Sequence, residues 1–196
     1  MKVDYLKNKK GIPIEGPLVF TPDIYSDSRG LFFESWNRKK YEENLPDNVE
    51  FVQDNQSESF QGVLRGLHYQ IEPYPQGKLV RCVKGSIFDV AVDIRKSSST
   101  FSEWVGIELN QNNKKQLWIP CGFAHGFLTL SDSTEVLYKA SGYWNKDCER
   151  TIQWNDKVFD IHWPLEKLNI SDPLLSDKDS NAPSLEELLK KDELFL

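Results

Sequence analysis

The chain has 196 residues, enough for one domain with a sizeable core, and its 39% hydrophobic and 28% charged content fits a globular fold. A formal net charge of −6 argues against non-specific nucleic-acid binding but leaves room for a small anionic ligand held by local arginines. Cys82, Cys121 and Cys148 are odd in number and far apart, which excludes a CxxC zinc pattern and a secreted disulfide framework. The start has no apolar signal region and no run reaches membrane-spanning length, so a reducing cytoplasm is the expected location, with neither membrane nor nucleic acid as partner.

Residues 1–16 are polar and are expected to be loosely held. Pro17 to Phe20 begins a strand. Asp27-Ser28-Arg29-Gly30 has turn chemistry, because Asp and Ser bond nearby backbone and glycine accepts positive φ. Leu31 to Trp36 leaves that turn as a second strand, and Arg38 to Leu45 is a short exposed helix stopped by Pro46. In Glu50 to Ser57, Gln53 and Asn55 share one face. That suits either an edge strand entering a polar loop or hydrogen bonding to a sugar or base. Lys78 to Val83 is a strand turned by Gly85. Phe88, Val90, Val92 and Ile94 alternate with Asp89, Ala91 and Asp93, the clearest period of two in the chain. Further strands are expected at 104–109, 117–119 and 135–140. Ser184-Leu185-Glu186-Glu187 is a capping box that opens a helix over 184–191. Many short strands with turn signals between them indicate an all-β antiparallel sandwich or barrel with a few short peripheral helices.

The chemistry is expected around residues 63–70, VLRGLHYQ. Arg65 and His68 have odd spacing and would lie on opposite faces of an unbroken strand. Gly66 permits a bulge that brings both to one pocket. Histidine suits proton transfer near neutral pH, and arginine suits a phosphate or carboxylate. The plainer reading is a packed histidine with no chemical role. His125 is flanked by glycines in 122–126, GFAHG, where backbone can crowd a ligand; His162 is expected to pack in a loop. The sequence has no HxH metal cluster, no phosphate loop, no dinucleotide turn and no GxSxG elbow. Asp89 is a candidate partner for His125 or His68. Proton shuttling at a barrel mouth and simple ligand binding both remain open on residue types alone.

Seven blocks in order then carry a resemblance: residues 27–34 (DSRGLFFE), 53–55 (QDN), 63–68 (VLRGLH), 85–90 (GSIFDV), 124–127 (AHGF), 136–138 (VLY) and 175–179 (LSDKD). The chain resembles the dTDP-4-dehydrorhamnose 3,5-epimerase family of the rhamnose pathway. The resemblance implies a cupin-type jelly roll, one domain over 1–196, and epimerisation at C3 and C5 of a 4-keto nucleotide sugar without a cofactor or metal.

It implies His68 as catalytic base, Asp179 as the acid that orients it, Tyr138 as the acid on the opposite face and Lys78 at the enolate oxygen. Arg29, Glu34, Gln53, Asn55, Arg65, His125, Glu149 and Lys178 match nucleotide and substrate contacts, and Phe32 matches a wall of the base pocket. The dTDP-sugar is the implied ligand. A homodimer is implied too, in which an N-terminal strand is exchanged between subunits. Trp144 stands six residues beyond Tyr138, where the family often has a second tyrosine stacked on thymine; indole stacks as well. A single-centre epimerase and a non-catalytic sugar-nucleotide-binding cupin are the alternatives.

Overall fold

The computed structural model describes residues 1–47 and 49–196. Its largest sheet has six strands in the order β1-β2-β10-β7-β12-β5: β1 (Lys2–Lys7), β2 (Pro13–Thr21), β5 (Gln53–Ser59), β7 (Lys78–Lys84), β10 (Gln116–Ile119) and β12 (Thr134–Ala140). A five-stranded sheet faces it in the order β13-β6-β11-β8-β9: β6 (Leu64–Gln70), β8 (Ser86–Asp93), β9 (Trp104–Asn110), β11 (Phe123–Thr129) and β13 (Glu149–Thr151). All strand pairs within the two sheets are antiparallel, as expected for a jelly-roll sandwich. A separate hairpin joins β3 (Tyr25–Asp27) to β4 (Gly30–Phe32) around the Asp27–Gly30 turn.

Two apolar layers flank the five-stranded sheet. Between the sheets lie Val19, Val80, Ile87, Val105, Leu117, Phe127 and Val136. Behind it lie Leu64, Leu67, Val90, Val92 and Ile94, covered by Ile152, Phe159, Leu185, Leu188 and Leu194. Each Leu, Val or Phe buried this way contributes roughly 1.5–3 kcal/mol. The alternation of β8 therefore does not separate core from water. Its apolar row faces the C-terminal segment, while Asp89 and Asp93, both fully buried, are on the other row with Ile87 and Ala91.

The N-terminus differs from expectation. Residues 2–7 form β1, an edge strand paired with β2. Its turn is built by Asn8, whose side chain accepts hydrogen bonds from the backbone of Lys10 and Ile12. Exposed lysines on an edge strand discourage pairing with stray chains, which is why the segment reads as polar. The strand expected over 31–36 ends at Phe32. Helix α1 (Arg38–Glu42) is shorter than expected and is capped by Asn37. Near the C-terminus, α2 (Asp177–Ser180) and α3 (Leu185–Lys190) lie on the covering segment, and α3 opens with the expected capping box of Ser184 and Glu187. No helix among the described residues is long and apolar enough to cross a membrane.

Candidate active site

The site is set by how β6 is bent. Gly66 has φ +125°, and a Cβ there would meet Gly126 Cα and the His125 carbonyl at 2.6 Å. The two strands therefore approach at glycine on glycine, and the β6–β11 register shifts at this point. Beyond the shift His68 pairs with His125, whereas before it Arg65 pairs with Phe127. Leu64, Leu67 and Tyr69 stay in the rear core. Arg65 and His68 thus line one cleft of about 360 Å³, together with Leu174, Lys178 and Asp179.

His68 Nε2 lies 2.6 Å from Asp179 Oδ1. Asp179 comes from α2, whose N-cap is Ser176; the Ser176 hydroxyl donates to Asp179 Oδ2 at 2.9 Å and accepts from the Asp179 amide. The carboxylate is thus held from two sides, and its second oxygen fixes the plane in which the first meets the imidazole. Burial lowers the His68 pKa, partly opposed by the hydrogen bond and charge of Asp179. Burial pushes Asp179 up, but its bonds to His68 and Ser176, with the His68 and Lys178 charges, outweigh this and hold it below the usual carboxylate range. The product is a neutral imidazole beside a fixed carboxylate, the state a proton acceptor needs.

The facing six-stranded sheet supplies Lys78 on β7 and Tyr138 on β12. The Lys78 ammonium sits 5.9 Å from the centroid of the Tyr138 ring. Burial takes the Lys78 pKa down to about 8. Burial raises that of Tyr138, helped by the negative charge of Glu149. Beside Tyr138, β5 presents Asn55 and Gln53 from the sheet edge, joined by a 3.0 Å hydrogen bond between their amides. The strand is thus an edge strand, and it places its amides beside Tyr138. Gln53 also accepts from the Trp144 amide at 3.0 Å, which places the exposed indole beside the same rim.

His125 is buried and lies 2.6 Å from Asp89 Oδ1, the partner suggested by its strand position. Asp89 Oδ2 is buried without a hydrogen-bond partner among the described residues. On β13, Glu149 pairs with Lys178 at 3.0 Å. Arg65 is tied to Ser59 and to the Glu58 carbonyl.

Three expected residues lie in the N-terminal hairpin and the segment after it, apart from the strands that carry the others. Arg29 is bound to Asp27 in the β3–β4 hairpin, Phe32 is 68% exposed, and Glu34 pairs with Lys40 and Asn37. Ser176 was missed from sequence, although its place three residues before an acid is a capping signal. Gln70 was missed as well: its amide donates to the Tyr74 and Tyr143 carbonyls and accepts from Asn145, tying both loops at the mouth to β6. His162 lies in a loop edge-on to Trp104, away from the site.

A family model described as dTDP-4-dehydrorhamnose 3,5-epimerase matches residues 11–187. The chain belongs to this epimerase family. The dTDP-4-dehydrorhamnose 3,5-epimerase of Shigella flexneri is 59% identical over 165 residues, covering 84% of this chain and 88% of that protein. A solved dTDP-6-deoxy-D-glucose-3,5-epimerase from Legionella pneumophila, in complex with dTDP-4-keto-L-rhamnose, is 43% identical with TM-score 0.88, covering 99% of this chain and 98% of that one. A 3'-monoepimerase from Streptomyces bikiniensis, in complex with dTDP-quinovose, is 32% identical with TM-score 0.85, covering 92% and 89%. The cupin-type fold of this epimerase-family chain is thus shared with relatives of both outcomes.

Proposed function

We propose that this chain inverts C3 and C5 of dTDP-4-dehydro-6-deoxy-D-glucose to give dTDP-4-dehydro-L-rhamnose, a step of dTDP-L-rhamnose biosynthesis. The observation that carries the reading is His68 on one sheet, held by Asp179 of α2, with Lys78 and Tyr138 on the facing sheet. The C4 ketone acidifies the protons on both neighbouring carbons. His68 takes one, the electron pair moves to the C4 oxygen, and the enolate is reprotonated from the opposite face by Tyr138. Inversion needs two groups on opposed faces of the ring, which a retaining exchange or simple binding does not.

Each unit of pKa mismatch costs about 1.4 kcal/mol, so a gap of ~10 units between a ketone α-proton and an imidazolium costs about 14 kcal/mol. One donor at a developing oxyanion supplies roughly 3–4 kcal/mol. Lys78 fills that role, and the remainder falls to a dry interior and to anchoring of the inert nucleotide. Arg65 and Lys178 at the cleft suit the diphosphate, with Gln53, Asn55, His125 and Glu149 as further contacts and Trp144 stacking on the base. The chemistry as drawn calls for no cofactor or metal.

Arg29, Phe32 and Glu34 complete the site only if a second copy supplies them. Within the chain β1 is already paired to β2, so the exposed β3–β4 hairpin is the N-terminal element available for exchange. We read residues 1–196 as one catalytic domain that works as a homodimer. The three unpaired cysteines suit a reducing cytoplasm. Likeness to a 3'-monoepimerase favours inversion at one centre as the second reading. The test is His68→Ala: epimerisation is expected to fall by about 10²–10⁴-fold, the usual worth of a general base. Affinity for dTDP should stay within a few fold. Loss of dTDP binding with activity would make His68 a binding residue instead.

A further inference from the structure

Residues 192–196 lie behind the strand that carries His68. Tyr69 follows His68 on β6 and so points to the opposite face. Its hydroxyl donates to the Glu193 carbonyl at 2.9 Å. The Glu193 carboxylate lies 2.9 Å from Arg150 Nε, a charge contact whose angle is not that of a hydrogen bond. Arg150 is on β13, directly across the ladder from Tyr69. One residue thus binds both strands, by main chain to one and by side chain to the other.

Its neighbours fix it in place. Leu194 is buried in the rear core, and the Phe195 ring centroid is 6.3 Å from that of Tyr69. The Phe195 carbonyl accepts from the Lys96 amide at 2.9 Å, beside Arg95, which is anchored on buried Asp93 at the end of β8.

The strand tied down in this way needs the tie. β13 is a three-residue edge strand whose only ladder partner among the described residues is β6. Short edges open at little free-energy cost unless held. Its Glu149 reaches Lys178, the residue before Asp179. Motion of β13 therefore reaches the acid that orients the imidazole, through Glu149 and Lys178 as well as through the Thr151–His68 pairing.

We propose that Glu193 is a positioning residue for the reaction: from the face of the sheet opposite the cleft, it holds β6 and β13 so that His68 and Glu149 keep their places against α2. The inference rests on the reading of His68 as the base, and the segment lies beyond the residues that the family model matches. Glu193 itself does not line the cleft.

The test compares Glu193→Ala, Glu193→Gln and Tyr69→Phe with wild type by kcat, KM, the pH profile of kcat/KM and Tm. Groups facing His68 are unchanged in all three: Asp179 and Lys178 from α2, Lys78 from β7, His125 from β11, Glu149 from β13 and Arg65 on its own strand. Glu193→Ala is expected to lower kcat about 10-fold, within the ~10²-fold that a misplacement of about 1 Å can cost, while KM moves less than about twofold. Its acid limb should move up in pH, because a loosened strand admits water and lessens the burial that depresses His68. Glu193→Gln keeps the shape but not the charge that faces Arg150 and should fall between wild type and Glu193→Ala in kcat; Tyr69→Phe, which removes one hydrogen bond, should show a smaller shift in the same direction. A lowered Tm with kcat and acid limb unmoved in Glu193→Ala, or in Tyr69→Phe should Glu193→Ala not fold, would reduce the segment to a structural cover and overturn the proposal. His68→Ala run in parallel keeps the two ideas apart: full inversion there removes the base reading itself, whereas a dead His68→Ala beside an unaffected Glu193→Ala removes only the brace.

Discussion

At the level of single residues the site is a matter of protonation states held apart by environment. His68 must be neutral to accept a proton, and burial places its pKa below the ordinary histidine value. Lys78 must be charged to meet the enolate oxygen, and burial brings it to about 8. The signs follow: activity falls as pH drops through the His68 pKa, and falls again as pH rises through that of Lys78. A bell-shaped kcat/KM is expected, with its acid limb below pH ~6.5 and its alkaline limb near pH ~8. Tyr138 does not supply that second limb, because burial raises its pKa. Lys78→Met should lower kcat by about 10²–10³-fold and remove the alkaline limb while leaving the acid limb in place. An alkaline limb unchanged in that variant would assign it to another group. These residues were legible as candidates, His68 from its strand and glycine context and Asp179 from the family pattern. Their protonation was not, because it depends on burial from elements more than a hundred positions away, such as α2 against β6.

At the level of elements, the bend in β6 decides whether a strand of ordinary alternation carries a site. Gly66→Ala would drive a Cβ into the Gly126 and His125 backbone, at a φ that side chains rarely adopt. Backbone on both sides leaves nothing flexible to yield. A loss of roughly 2 kcal/mol or more in unfolding free energy is expected, with activity lost in whatever fraction folds; denaturant titration and turnover together check it. A stable, active Gly66→Ala would mean that the bend is not what joins Arg65 to His68. This bend could be anticipated because glycine is the residue that allows it. Other elements were harder to read. The polar residues 2–7 look like a free tail, yet pair as β1, because an edge strand exposes most of its side chains. In β8 the alternation marks two faces without saying which one fronts the facing sheet, and the acidic row turned out to be the inner one, where Asp89 meets His125. Composition alone cannot show that a C-terminal segment will cover the outer row.

At the level of the whole molecule, the separation of Arg29, Phe32 and Glu34 from the His68 cleft is the main reason to expect a dimer. A site shared in this way gives a sharp outcome in mixed proteins. His68→Ala and Arg29→Ala homodimers should each be nearly inactive, and refolding them together at equal amounts should return about a quarter of wild-type activity, since half the dimers are mixed and each carries one intact site. No recovery on mixing would mean that Arg29 serves the His68 of its own chain, or serves none. The chemistry of the whole assembly is tested most directly by incubating the wild-type protein with dTDP-4-dehydro-6-deoxy-D-glucose in D₂O and following C3 and C5 by NMR. The account predicts deuterium at both carbons with inversion at both, through one enolate-forming pair that serves each in turn. Exchange confined to one carbon, or bound nucleotide with no exchange at either, would contradict it.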